Sequence, residues 1–244
     1  MGTEISVVYN NLPGASRFIT DWGVSYLVRS GGRKILFDTG GNPVILRENL
    51  RRLGADPEEI DAVVLSHYHL DHIGGLGAVF KPGLKIFLLP LFPEGFKERL
   101  RSEGAVVIEA DRPRPVAGEI WTTGEIKGYI PEQSLIIKTD RGAVVLIGCS
   151  HPGVEKICRR ARQAIGGKIY LVSGGFHLGG SSREEIKNII QGLKSIGVEK
   201  IAPNHCTGSL ALRMFMEAWG DDFIHLGVGE TVNIDDIENR EIKE

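Results

Sequence analysis

Four short apolar runs in this chain each lead to a histidine, and that repetition constrains the fold more than any other feature. Ala62-Val63-Val64-Leu65 leads into Ser66-His67-Tyr68-His69-Leu70-Asp71-His72. Val144-Val145-Leu146-Ile147 leads into Gly148-Cys149-Ser150-His151. Ile169-Tyr170-Leu171-Val172 leads into Ser173-Gly174-Gly175-Phe176-His177, and Ile201-Ala202-Pro203 into Asn204-His205-Cys206. Short runs without polar alternation read as strands buried on both faces, which requires other layers to cover the sheet. Polar residues placed directly after such strands emerge at a sheet edge. If these strands share one edge, six histidines and Asp71 converge on a single site.

The remaining pattern alternates strands and helices. Ile5–Tyr9, Val24–Val28 and Lys34–Phe37 read as strands, the last two forming a hairpin across Ser30-Gly31-Gly32. Asn42–Leu53 reads as a helix, with Pro43 at its start and Gly54 after its end. Lys85–Leu89 and Ala105–Ile108 are strands around a short helix within 90–103. The second half repeats this grammar. Ser134–Thr139 and Ala143–Ile147 flank the turn Asp140-Arg141-Gly142, and Pro152–Ile165 reads as a helix. Ser182 and Glu185 form a capping box, opening a helix whose buried stripe is expected at Ile186, Ile189, Leu193 and Ile196. Leu210–Trp219 is a helix and Phe223–Val228 a last strand. Two similar halves, joined near residues 110–130, predict one α/β domain over 1–244. Its two sheets face each other and helices cover the outside.

Composition narrows the function classes. Lys and Arg number 29 against 31 Asp and Glu, a balance that argues against a general nucleic-acid surface. No apolar run approaches the ~20 residues of a membrane span, and the acidic start Met1–Asn11 does not read as a signal peptide. Three cysteines do not make a disulfide framework, so a reducing cytoplasm is expected.

Within 67–72 the ligand types are dense. His67 and His69 are two apart and point the same way on an extended chain. Asp71 and His72 turn into the next segment, where Gly74 and Gly75 allow a tight bend. Neutral imidazoles with a carboxylate suit zinc and similar divalent ions. Cys149, ending a strand, is expected to pack. Cys206, adjacent to His205, is expected to point away from it on an extended chain. Cys158 reads as helix core and His225 as a structural residue within a strand. The loop Asn11–Thr20 is expected to line the site, with Arg17 as a phosphate contact.

The motif His67-x-His69-x-Asp71-His72, preceded by Phe37-Asp38-Thr39-Gly40 and followed by His151, His177 and His205, resembles the metallo-β-lactamase superfamily. Gly148-Cys149-Ser150-His151-Pro152-Gly153, Gly174-Gly175-Phe176-His177-Leu178 and His205-Cys206-Thr207-Gly208 are similar to its dihydropterin-synthase-like branch. The resemblance implies a four-layer αββα sandwich with a metal site on one edge. It implies two divalent ions, zinc first, with manganese, iron or nickel as alternatives. His67, His69 and His151 would hold one ion, and Asp71, His72 and His205 the other. Asp38 would orient a ligand histidine, and Asp71 would also be a candidate proton acceptor. The superfamily's bridging aspartate is missing after Ser173-Gly174, where His177 is the available ligand or acid/base group. With Asp71 the only carboxylate in that set, a phosphorylated small molecule is the expected substrate. The implied activity is hydrolysis of a phosphoester or related ester by a hydroxide that the metals hold. The alternative is transfer of a dihydropterin from its diphosphate to a ribofuranosyl-aminobenzene phosphate.

Overall fold

The computed structural model describes residues 2–239. Its first sheet comprises β1 (Glu4–Asn10), β2 (Val24–Ser30), β3 (Arg33–Phe37), β4 (Ala62–Val64), β5 (Lys85–Leu88), β6 (Val106–Glu109) and β13 (Thr231–Asn233). The order is β13-β1-β2-β3-β4-β5-β6. The second sheet contains β7 (Arg114–Ala117), β8 (Ile120–Thr122), β9 (Leu135–Thr139), β10 (Gly142–Ile147), β11 (Ile169–Gly175) and β12 (Val198–Asn204), ordered β12-β11-β10-β9-β8-β7. The helices are α1 (Pro43–Arg52), the single turn α2 (Leu70–Ile73), α3 (Glu94–Ser102), α4 (Val154–Ile165), α5 (Arg183–Ile196) and α6 (Ser209–Trp219).

Period-two geometry distributes the apolar strand residues between layers. Ile35, Phe37, Val64, Val144, Leu146 and Leu171 fill the space between the sheets. Their neighbours Leu36, Val63 and Leu65 face outward onto Leu46, Leu50 and Leu100. On the other side Val145 and Ile147 face Ile157, Ile186, Leu193 and Phe215. The result is a four-layer α/β/β/α sandwich. Strands β3 to β6 run parallel, as do β10 to β12. Within each set, therefore, all C-terminal ends lie on one edge. No helix among the described residues is long and apolar enough to cross a membrane.

The capping box at Ser182 is present, and Gly197 ends α5 in the left-handed region at φ 82°. The buried stripe of α5 runs through Ile186, Ile190, Leu193 and Ile196, with Ile189 only partly buried. Helix α4 begins at Val154 rather than Pro152, because Gly153 at φ 96° still belongs to the loop. Residues 110–130 hold β7 and β8, which short, Pro- and Gly-containing sequences did not signal. Phe223–Val228 is not a strand. Phe223 forms one bridge to Ile201, and Val228 then exchanges backbone hydrogen bonds with Leu12 and Ala15 instead of a sheet neighbour. The closing strand is β13, paired antiparallel with β1.

Tyr26 ties the two sheets together beneath the site. Its buried hydroxyl accepts a hydrogen bond from Asn204 Nδ2 (2.7 Å) and lies 3.0 Å from Ser173 Oγ. Tyr26→Phe leaves buried polar groups short of a partner, so it is expected to cost about 1–3 kcal/mol of stability. The check is a chemical denaturation curve: the midpoint should fall with an unchanged slope, and an unmoved midpoint would show that this bridge contributes nothing.

Candidate metal centre

Each chemically active side chain sits just beyond a strand end. Asp38 follows β3, and Ser66-His67 follow β4. Cys149 and His151 follow β10, His177 follows β11 and His205 follows β12. The two edges meet there: the rings of His67 and His151 are 4.7 Å apart between centroids, and those of His72 and His205 5.2 Å. Among the described residues, four non-glycine residues have positive φ: Asp38 (56°), Ser150 (62°), His177 (52°) and His205 (48°). All four are at this rim. Left-handed backbone costs a non-glycine residue roughly 1–3 kcal/mol, and such strain concentrates at functional sites. Gly148 permits the close approach of the loops, since a Cβ there would lie 2.3 Å from Ser66 Oγ and 3.1 Å from Asp38 Oδ2.

Hydrogen bonds fix which imidazole nitrogens carry protons. Buried Asp38 accepts from Ser66 N–H and Ser66 Oγ–H, each at 2.7 Å. Ser66 Oγ, having donated its proton, accepts from His67 Nδ1 at 2.9 Å. His72 Nδ1 donates directly to Asp38 Oδ2 at 2.7 Å. His205 Nδ1 donates to Asn11 Oδ1 at 2.9 Å, while Asn11 Nδ2 donates back to the His205 carbonyl. In all three rings Nε2 then faces inward as an acceptor, that of His67 toward His69 Nδ1 (3.0 Å) and that of His72 toward Cys149 Sγ (3.2 Å), the orientation that ligand histidines require.

The candidate ligand atoms fall into two groups. The ligand atoms of His67, His69 and His151 lie within 4.8 Å of one another, and so do those of Asp71, His72 and His205. Asp71 Oδ2 is 3.3 Å from His205 Nε2 and 3.6 Å from His72 Nε2. Buried Nε2 atoms of His151 and His205 have no hydrogen-bond partner. Buried, unpaired acceptors are costly, and a divalent cation would satisfy them. The donor set of imidazole, carboxylate and thiol fits zinc and its first-row neighbours.

Burial, reinforced by the neighbouring imidazoles, holds His67 well below its ordinary value and His151 at about 4, so both are neutral near pH 7. Burial also acts against charge on His72, but the Asp38 contact outweighs it and raises the ring above its usual value. Partial burial would raise Asp71, yet His205 and His72 hold its carboxyl well below the usual range. A carboxylate so firmly ionised suits ligation better than proton uptake. His177 is exposed, its ring lies tilted 4.6 Å from that of His151, and its hydrogen bond with Cys206 raises its pKa.

Several residues at the site carry no signal in the sequence. Glu132 is fully buried and accepts from four successive backbone N–H groups, those of Gly148, Cys149, Ser150 and His151, at 2.9–3.2 Å. Burial pushes its carboxyl up to about 7 despite those donors. The next residue, Gln133, donates through Nε2 to the Leu65 carbonyl (2.8 Å) and through its backbone to that of Ser66. One dipeptide therefore pins both ligand-bearing loops. Trp22, 56% exposed, packs its ring 4.9 Å from that of His205.

Cys149 is buried, as expected, but the Cys206 expectation needs correction, since its sulfur lies within 4.8 Å of a His205 ligand atom. Cys149 Sγ lies 3.2 Å from His72 Nε2 and 3.4 Å from Cys206 Sγ. The left-handed turn at His205 rotates the chain, so that consecutive side chains converge instead of opposing each other. Cys158 is buried on α4, as expected. Arg17 is exposed with its guanidinium over the Phe18 ring, and His225 is exposed and packs against Phe223, outside any strand.

This rim of histidines at the joined edges of an αββα sandwich has counterparts in known proteins. Residues 23–83 match the sequence profile of the metallo-beta-lactamase superfamily. The chain is 32% identical to the 7,8-dihydropterin-6-methyl-4-(beta-D-ribofuranosyl)-aminobenzene-5'-phosphate synthase of Methanocaldococcus jannaschii, covering 89% of this chain and 91% of the relative. Among solved structures it is similar to Tm1679, a metal-dependent hydrolase of the beta-lactamase superfamily (26% identity, TM-score 0.80, 95% of this chain and 99% of the other). It shares the fold of YhfI from Bacillus subtilis (18% identity, TM-score 0.70, 96% and 100% covered). The chain belongs to the metallo-β-lactamase superfamily, in the branch that resembles the dihydropterin synthase.

Asp38 holds His72 directly and His67 through Ser66, whereas Asn11 holds only His205. Removal of a ligand's hydrogen-bond partner typically costs ~10–100-fold in metal affinity or activity. Asp38→Ala is expected to lower activity by that factor while retaining most bound metal. Asn11→Ala should weaken metal binding in a titration through the group that contains His205. If both variants titrate and turn over like the parent, these residues do not orient ligands.

Proposed function

We propose that the protein is a binuclear metal-dependent hydrolase acting on a phosphorylated small molecule, with zinc as the first-choice ion. The observation that carries this reading is the pair of three-residue groups, His67/His69/His151 and Asp71/His72/His205, facing each other across the joined sheet edges. When bound, two divalent ions supply an acidified water and positive charge for the oxygens that gain charge in the reaction. The protein's own groups do the rest. Asp38, Ser66 and Asn11 hold protons at the Nδ1 atoms of His72, His67 and His205, which keeps the metal-facing nitrogens free and the rings fixed before substrate arrives. Asp71 contributes a permanent negative charge to one group. His177 is the exposed imidazole beside His151, placed to give a proton to a leaving oxygen. The neutral imidazoles leave the loaded site with excess positive charge, which favours anionic substrates.

A second reading, transfer of a dihydropterin from its diphosphate to an aromatic acceptor, has specific support. The Methanocaldococcus jannaschii relative is named as a synthase of such a product and matches nearly the whole chain. Exposed Trp22 beside His205 offers a flat surface on which a planar ring could stack. Both reactions would use the same ligands and differ in the acceptor, water or an aromatic carbon.

The test is a metal-loaded assay with phosphomonoesters, phosphodiesters, lactones and a dihydropterin diphosphate, the last with and without an aminobenzene phosphate acceptor. Release of phosphate or diphosphate without acceptor supports hydrolysis, and release only with acceptor supports transfer. His67→Ala and His69→Ala should lower bound metal and abolish turnover, and His69→Ala, at a half-buried rim position, should leave the unfolding free energy within about 1 kcal/mol of the parent. Full occupancy and full turnover in either variant would sink the assignment.

A further inference from the structure

We propose that Cys149 is a thiolate ligand shared by the two ions, the bridge between the two groups of ligands. This rests on the binuclear reading above and adds a residue to it. The placement of the sulfur is the main argument. Cys149 Sγ lies within 4.8 Å of ligand atoms on His67 and His151 from one group, and on His72 and His205 from the other. Its separation from His72 Nε2 is 3.2 Å. Two donors on one tetrahedral zinc, with bonds of about 2.3 Å to sulfur and 2.0 Å to nitrogen, sit roughly 3.5 Å apart. The sulfur is therefore at ligand spacing from His72 without movement of the backbone. On two of the rings near it, His151 Nε2 and His205 Nε2 are buried and have no hydrogen-bond partner, although Asp71 Oδ2 lies 3.3 Å from the latter.

Among the close clusters of ligand atoms, Cys149 joins members of both groups, whereas His177 joins only His151 and Cys206 only His205. Asp71 is the sole carboxylate of the two groups, and it sits beside His205 and His72. Glu132 is close but committed, its oxygens taken by four backbone N–H groups beneath the loop. A side chain from the end of β11 has no room to enter, because a Cβ at Gly175 would lie 2.6 Å from Cys206 Sγ and 2.5 Å from the Gly148 carbonyl. Cys206 Sγ, itself 3.4 Å from Cys149 Sγ, occupies the space that a side chain from that strand would need. The Cys149 N–H bond to Glu132 (2.9 Å) fixes the backbone from which the thiol projects. Cys206, at 3.4 Å from Cys149 Sγ, acts as a positioning residue. On metal binding the Cys149 thiol releases its proton to solvent and the sulfur lone pairs bind the ions, with no redox change. The thiolate adds a second negative charge beside Asp71, so two dications would still leave a net positive site for an anionic substrate.

The experiment loads the full-length protein with cobalt(II) and records the sulfur-to-cobalt charge-transfer band in the near ultraviolet together with cobalt stoichiometry. The parent and Cys206→Ser should both show the band. Cys149→Ser should lose it and bind at least one cobalt roughly tenfold or more weakly, since loss of an outer partner alone costs ~10–100-fold. Should Cys149→Ser fail to fold, the parent and Cys206→Ser spectra still decide the matter, because Cys158 lies away from the site on α4. Two cobalt ions bound without the band would overturn the thiolate bridge and leave the binuclear centre standing. A band lost only in Cys206→Ser would likewise overturn it. A parent that binds no cobalt would overturn the bridge and the metal centre together.

Discussion

The carboxylate of Asp38 is the contact on which the rim depends. It lies at the end of β3 in a left-handed conformation, fully buried, and its two oxygens receive Ser66 N–H, Ser66 Oγ–H and His72 Nδ1–H. Through Ser66 it also sets His67. A charge removed from water is tolerable when every oxygen is hydrogen-bonded, and strongly unfavourable once a partner is removed. That cost enforces a fixed geometry: the loop after β4 must meet the loop after β3, and two imidazoles must turn their Nε2 atoms the same way. Six imidazoles could otherwise relax by turning toward water.

The two sheets contribute different parts. The first supplies Asp38, His67, His69, Asp71 and His72 from two adjacent parallel strand ends. The second supplies Cys149, His151, His177 and His205 from three. Neither group of three candidate ligands is uniformly local. His151 completes the first from across the sandwich, and His205 completes the second. The site exists only when the sheets are docked, and the shared core of Val64, Phe37, Val144 and Leu146 sets that docking. Glu132-Gln133 fastens the join by bonding to the loop of each sheet. Rigid strands behind and hydrogen-bonded loops in front give the preorganisation that a metal site needs.

Much of this was legible in the sequence because its physics is local. Val63-Val64-Leu65 before His67, and Ile147 before Gly148-Cys149, announce strand ends, and the capping box at Ser182 marks its helix residue by residue. The ligand types identified themselves by recurring at four such ends. What was hidden depends on contacts distant along the chain or on backbone handedness. Glu132 looks like any loop acid until its carboxylate meets the N–H groups of 148–151. Asn11 and Trp22 reach His205 from nearly two hundred residues away in sequence. Cys206 was misdirected because an extended chain was assumed where His205 is left-handed. Phe223–Val228 has the composition of a strand, but its hydrogen bonds go to the loop at Leu12 and Ala15, and no alternation pattern reports that choice.

Anomalous diffraction at the absorption edge of the bound metal tests most directly whether two ions are held across the joined edges. The expected map has two peaks about 3.5–4 Å apart. One would be bounded by His67, His69 and His151, the other by Asp71, His72 and His205. A single peak at full occupancy in metal-saturated crystals, or a pair of peaks whose nearest donors are other residues, would contradict this assignment.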